Sequence, residues 1–487
     1  MEINELTPAE ARVWRAFARG EYVDFRAAPD DDPADGGTWG AERTVRGEVL
    51  RALLLHGPRE DGEVAALDVA GARITGGLDL QYASVDHPVR LRHCHFEETL
   101  RCYAARLREL NLSESVLPGL VSHAVRVDGM LRMTRARCRG TVRLNGAEIG
   151  RSLYLEGVAI DAPDAEGPVL HLNQTVVGAD LWAPGLRTRG SVRLTGASVT
   201  GMVNLKDAEL DAADGTALDA QHLVVGSSVT ATCLTARGTL DFRGARVPGT
   251  LELAHARLSR PGGTALRATS CVIGELWLFG GGRIEGALRL RRARLDSLSL
   301  DPAMVPAEVY LNDLTYTALV PHHPAALRLA MLERDGDGYV PHSYEQLTAA
   351  YRRIGDDDAA RLVQLAKLRR HRRTLRWYAR LWGHLQDLAV GYGFRPLRAG
   401  AWLLSLLAVG SLAYGLHHPE ALKPSESPEF NPVFYTLDLL LPIISFGQET
   451  AFAPGGWYQW LAYALVLMGW ILASTVVAGV TRAVSRQ

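Results

Sequence analysis

The chain has 487 residues, a formal net charge of −1 and an apolar content of 47%. That length allows two or three domains, and the balanced charge argues against nucleic-acid binding or an acidic-tail protein. The cysteines (Cys94, Cys102, Cys138, Cys233 and Cys271) are odd in number and contain no Cys-x-x-Cys pair, which argues against a disulfide framework and a structural zinc site.

The N-terminus lacks a basic region followed by an apolar run, so no signal peptide is expected and the bulk of the chain is expected in the cytoplasm. Residues 1–60 read as a helical cap. Thr7-Pro8-Ala9-Glu10 has the form of a capping box with proline at the first helical position. An acidic loop from Pro29 to Gly37 separates this helix from a second, expected over Trp39–His56 and closed by Gly57-Pro58.

From 61 to 300 the chain repeats a unit of 11–12 residues: glycine, then apolar-x-apolar-x-x-small-x-apolar. Gly140-Thr-Val-Arg-Leu-Asn-Gly-Ala-Glu-Ile149 and Gly190-Ser-Val-Arg-Leu-Thr-Gly-Ala-Ser-Val199 are two copies. Glycines 178, 226 and 274 are 48 residues apart, as are Leu170, Leu218 and Leu266. Alternation puts one side of a short strand inward and the Arg, Asp, Asn or Glu side outward. Strands this short, separated by glycine turns, fit stacked coils of about 24 residues rather than a sandwich. Roughly ten coils at ~4.8 Å spacing give a rod about 48 Å long. The fold expected is mainly β: a single-stranded, right-handed-type β-solenoid with helices at both ends. The repeat resembles a degenerate pentapeptide-repeat protein, although its units are not multiples of five. The resemblance implies the solenoid shape and no activity.

Residues 301–342 lose the repeat and read as a linker. Residues 343–396 read as a basic helical neck. A helix from Ser343 to Ile354, with Ser343 and Gln346 as a capping box, precedes a helix from Ala359 to Arg373 capped by Asp357 or Asp358. Arg369, Arg370, Arg372, Arg373, Arg376 and Arg380 form a basic cluster expected to meet anionic lipids, at about 1 kcal/mol per residue near the surface.

Residues 397–487 read as a transmembrane hairpin. The segments 399–416 and 457–480 carry no charge and are long enough to cross ~30 Å of hydrocarbon. Arginines flank the outer ends of both, so both termini are expected in the cytoplasm of a cell bound by this inner membrane. The apolar segment within 430–452 is too short to span and is expected to be re-entrant or interfacial. Asp438, Pro442, Ser445, Gly447 and Gln448 are its candidate pore or re-entrant residues, since Ile444-Ser-Phe-Gly-Gln448 faintly resembles a potassium-channel filter. Small residues at helical spacing in the second segment (Gly469/Ala473, Ser474/Ala478) suit helix contacts and a homo-oligomer.

The Tyr344 helix pair, the basic helix and Thr436-Leu-Asp-Leu-Leu-Leu-Pro-Ile-Ile444 together resemble an uncharacterised family of bacterial membrane proteins often labelled membrane-associated oxidoreductases. The resemblance implies redox activity but no catalytic residue set. Gly280-Gly-Gly-Arg-Ile-Glu-Gly286 follows one solenoid unit and opens the next, so it reads as a turn rather than a dinucleotide loop. His93-Cys94-His95 reads as surface histidines around an inward cysteine, with a metal site as the alternative. Asp335-Gly-Asp-Gly338 starts like a calcium loop but has Gln346 at its twelfth position. No cofactor or metal is expected. The expected function is a membrane-anchored scaffold or protein-interaction platform with the bilayer, anionic lipids and a protein as partners. The alternatives are a pore or transport module gated by the solenoid, and the oxidoreductase.

Overall fold

A computed structural model describes residues 5–28, 31–374, 396–423, 428–441 and 444–484. The chain divides into two compact units, Met1–Ile354 and Gly355–Gln487.

The first unit is a parallel β-solenoid of about 12 turns. A representative coil contains Arg126–Val127, Leu131–Arg132, Arg137–Cys138 and Val142–Arg143. The first two strands join an 18-stranded sheet and the last two a 17-stranded sheet. The repeat supplies the inward positions: in the unit starting at Gly140, Val142, Leu144, Ala147 and Ile149 are all buried. Each inward residue stacks on its counterpart in the next coil. One ladder runs Leu100, Leu120, Val142, Leu170, Val192, Leu218, Leu240, Leu266, Leu288 and Val309. Complete burial of one such side chain contributes about 2 kcal/mol.

The corners explain the spacing. Gly196, His222, Gly244, Ser270 and Arg292 share one corner column, each with a φ between 55° and 67°. They are 26, 22, 26 and 22 residues apart, so the 48-residue register is a pair of unequal coils. The longer coils carry excursions within the strands Glu209–Asp219 and Arg257–Arg267. Gly238 and Gly286 lie opposite those excursions at φ 120° and 119°. A Cβ on Gly238 would lie 2.6 Å from Ala212 O, and one on Gly286 would lie 2.5 Å from Arg260 O. Glycine is therefore needed there for both its backbone freedom and its lack of a side chain.

Both ends of the ladder extend beyond the expected repeat. At the start, Val23–Asp24 pairs with Val69–Ala70, and Thr44–Arg46 with Arg73–Thr75. At the end, Val309–Tyr310 and Thr315–Val320 continue the two sheets past residue 300.

Helix α1 (Pro8–Phe17) begins with the expected capping box: Thr7 N donates to Glu10 Oε2 (2.9 Å) and Glu10 N donates to Thr7 Oγ1 (3.2 Å). Helix α2 is Gly47–His56, not 39–56, because Thr44–Arg46 is used as a strand. Helix α3 is Ala325–Leu332 and helix α4 is Pro341–Arg353. The expected capping box of α4 does not form. Val340 takes the N-cap position, and Ser343 Oγ donates to Leu311 O (3.4 Å).

The second unit is helical: α5 (Asp357–Thr374), α6 (Pro396–Leu416), α7 (Pro432–Leu440), α8 (Gln448–Ala451) and α9 (Trp457–Val484). The cap of α5 is Asp356, whose Oδ1 accepts from Ala359 N (2.9 Å), rather than Asp357 or Asp358. Among the described residues, no helix is long and apolar enough to cross a membrane.

Glu10 ties α1 to the second half of the cap. It is buried, and its carboxylate accepts from Arg46 Nε (2.8 Å), Arg46 Nη2 (2.9 Å) and Arg46 N (3.1 Å). Burial raises its pKa, but the Arg46 and backbone hydrogen bonds together hold it below the usual glutamate value. Because the folded pKa is lowered, the stabilisation is present above the unfolded pKa and fades as pH falls through the folded one. Glu10→Gln should cost about 2 kcal/mol at neutral pH. The gap from wild type should shrink below about pH 4 in urea melts.

The corner glycines give a second test. A Cβ on Gly226 would lie 1.9 Å from Thr200 O, whereas one on Gly146 meets nothing within 4 Å. Alanine already occupies the Gly146 column at Ala104 and Ala124. In thermal melts, Gly226→Ala should cost about 1–3 kcal/mol. Gly146→Ala should cost about 1 kcal/mol, from its left-handed backbone alone.

Candidate functional site

The segment between α6 and α9 is organised by one buried carboxylate. Asp438, on α7, accepts from Phe446 N at Oδ1 and from Gln448 N (2.7 Å) and Glu449 N (3.1 Å) at Oδ2. The last two N–H groups open α8, where unsatisfied donors and the helix dipole favour an anion. Gly447 precedes them at φ 81° and turns the chain so that the N–H groups converge. Gln448 is also buried; its Nε2 donates to Glu429 O (3.0 Å) and its Oε1 accepts from Asn431 N (3.2 Å). Asn431 caps α7 by accepting from Val433 N (3.0 Å) and Phe434 N (3.3 Å).

Three expected residues of this segment are thus brought to one place. Asp438 holds the loop, Gly447 turns it, and Gln448 joins it to the start of α7. Ser445 lies at the rim, where its Oγ accepts from Gly447 N (3.3 Å). Pro442 lies outside the described residues. The segment packs on α6 and α9 through small residues. A Cβ on Gly410 would lie 2.3 Å from Thr436 Cγ2, and one on Gly469 would lie 2.2 Å from Leu440 O. Gly469, expected to suit contacts between copies, therefore faces Leu440 of its own chain. Tyr414 and Tyr435 meet edge to face at 4.9 Å, and Tyr414 OH donates to Tyr458 O (3.0 Å).

Of the basic cluster, Arg369, Arg370, Arg372 and Arg373 fall within α5. Arg376 and Arg380 lie outside the described residues.

The chemistry-bearing residues of the solenoid disperse. Burial pushes the Cys94, Cys102, Cys138 and Cys271 thiols up to about 12, so they are protonated at neutral pH. Cys233 is exposed at a corner. His93 pairs with Glu114, whereas His95 Nδ1 meets Pro33 O (2.8 Å) on the other side of the inward Cys94. Asp335 is buried, accepting from Asp337 N (2.9 Å) and Leu311 N (3.3 Å), while Asp337 pairs with Arg291. Among the described residues, no group of three His, Cys, Asp or Glu side chains is placed to hold a metal ion. Gly280 is a solenoid corner, its carbonyl 2.9 Å from His255 Nδ1.

Sequence reasoning missed Arg328, which is fully buried on α3. The signal was present: Arg328 is the single charge in the run Ala325-Ala-Leu-Arg-Leu-Ala-Met-Leu332. Compared with known protein families, curated proteins and solved structures, the chain has no match.

The Asp438 contacts predict that Asp438→Ala strands three donors. The substitution should lower stability by about 2–4 kcal/mol, read as a drop in the melting temperature of the full chain in detergent.

Proposed function

We propose that this chain is a membrane-anchored β-solenoid whose rod serves as a scaffold or protein-interaction platform. The observation that carries the anchor is the apolar surface of the helical unit. Leu404, Leu412 and Leu416 on α6 are 65%, 66% and 71% exposed, and Trp457, Trp460 and Leu467 on α9 are 78%, 70% and 62% exposed. Large apolar side chains in that number need a cover that is not water. The uncharged runs 399–416 and 457–480 support a bilayer as that cover. Tryptophans and tyrosines at the start of α9 suit its headgroup level. In this reading the two runs form a transmembrane hairpin with the arginines, and hence the rod, on the cytoplasmic side.

The platform reading is supported by the solenoid's regular outer faces. Parallel coils present residues in straight columns; Arg126, Glu148, Val176, Ser198 and Val224 are one. A partner with a repeating or extended surface can meet several coils of such a column at once. Tyr82, which is exposed and packs edge to face on Tyr103 at 5.3 Å, is a contact point at the N-terminal end.

The test is made in cells expressing the full chain with a photo-crosslinking amino acid at Tyr82. The chain is expected in the membrane pellet after alkaline carbonate, with Tyr82 crosslinked to a defined protein band. Release into the carbonate supernatant would overturn the anchor, and crosslinking to no defined partner would overturn the platform.

A further inference from the structure

The end of the solenoid contains a cavity of about 240 Å³ between the last strand, Thr315–Val320, and helices α3 and α4. Its polar lining is Arg328, Arg353, His322 and His323, with the hydroxyl residues Thr317 and Tyr351. Leu319 and Ile354 supply apolar wall. The loop carrying the histidines is held by Tyr351, whose OH donates to His323 O (2.6 Å).

Arg328 is 1% exposed. Its Nη1 donates to Leu300 O (2.7 Å), and its Nη2 to Pro321 O (2.8 Å) and Val320 O (3.4 Å). Its Nε, also buried, has no hydrogen-bond partner. Arg353 Nη1 donates to Tyr316 O (3.3 Å) and to Thr317 O. Neither guanidinium has a carboxylate within ion-pair distance among the described residues, unlike Asp241 on the same rod, which pairs with Arg243 and Arg267.

A buried cation held only by neutral carbonyls is incompletely compensated. Isolated burial of a charge is costly, and chains normally place an opposite charge beside it. Here a cavity adjoins the guanidinium, and the second guanidinium that lines it, Arg353, carries the same sign. From that juxtaposition we infer that the cavity is a binding site for a small carboxylate with a short apolar tail. The carboxylate meets Arg328 and Arg353, whose planar N–H groups match its geometry. The tail lies against Leu319 and Ile354. At about 240 Å³ the cavity is below the usual range for drug-sized ligands, roughly 300–1,000 Å³. That favours an acid of a few carbons over a nucleotide. Exposed His322 and Arg353 mark the side from which it enters.

The experiment is calorimetric titration of the purified full chain in detergent with sodium butyrate, at constant ionic strength against sodium chloride. Sodium acetate is the short-tail comparison. Saturable butyrate binding, tighter than acetate, is expected. Arg328→Met and Arg353→Gln should each weaken it at least tenfold, and Arg143→Gln, on an outer solenoid face, should leave it unchanged. Arg353 is exposed, so Arg353→Gln reports on the site even where Arg328→Met fails to fold. The inference is overturned by no saturable butyrate binding, by acetate binding as tightly as butyrate, or by unchanged affinity in Arg353→Gln.

Discussion

The hydrogen bonds between coils are the constraint on which the rest of the rod depends. Each strand in a coil such as Arg126–Cys138 is two residues long and makes no lasting structure alone. Its N–H and C=O groups are satisfied only by the coils above and below, as Met133 N is by Tyr154 O (2.8 Å). That pairing is parallel and in register, so an inward side chain must stack on another of similar size. Ladders of leucine and valine, with alanine beside the corners, are the consequence. Inward cysteines are tolerated as small apolar residues, and the environment that accepts them keeps their thiols protonated.

The same constraint frees the outer faces. Outward residues neither stack tightly nor decide the register, so Glu148 can lie between Arg126 and Val176 in one column. Ion pairs along such columns are mostly exposed, as Arg126–Glu148 is, and contribute at most about 1 kcal/mol each. A rod of this kind holds its shape while its surface sequence varies. That separation suits a platform whose partners are selected by surface residues.

The inner positions were legible in the sequence because a two-residue alternation and a glycine register are both periodic signals. The tail of the ladder was not read, although Val309-x-Leu311-x-x-Leu314-x-Tyr316 keeps the unit's spacing, and all four residues are buried. Leucine and tyrosine stand there where alanine and an aliphatic residue stand elsewhere, and no glycine leads the unit. The start of α2 was misplaced for a related reason. Thr44–Arg46 has no repeat of its own, and its strand character comes from pairing with Arg73–Thr75. The apolar dip between α6 and α9 was visible from its composition. The convergence of three backbone N–H groups on Asp438 was not, because backbone donors leave no mark in a sequence.

Buried charge separates the two units. Asp438 is approached by three donors and its loop closes around it, so the carboxylate serves as the fastener of a finished structure. Arg328 is also buried and meets three carbonyls, yet one N–H is unpartnered and the space beside it is lined by Arg353, His322 and His323. A purely structural role for Arg328 would be filled as well by an uncharged donor, without the desolvation of a guanidinium. Burial works against its charge, lowering its pKa with only partial relief from Tyr351, Tyr316 and Asp301. An incomplete buried cation beside an open cavity that a second guanidinium lines is the arrangement that an anionic ligand completes, which is why the end of the rod rather than its length is where small-molecule chemistry belongs.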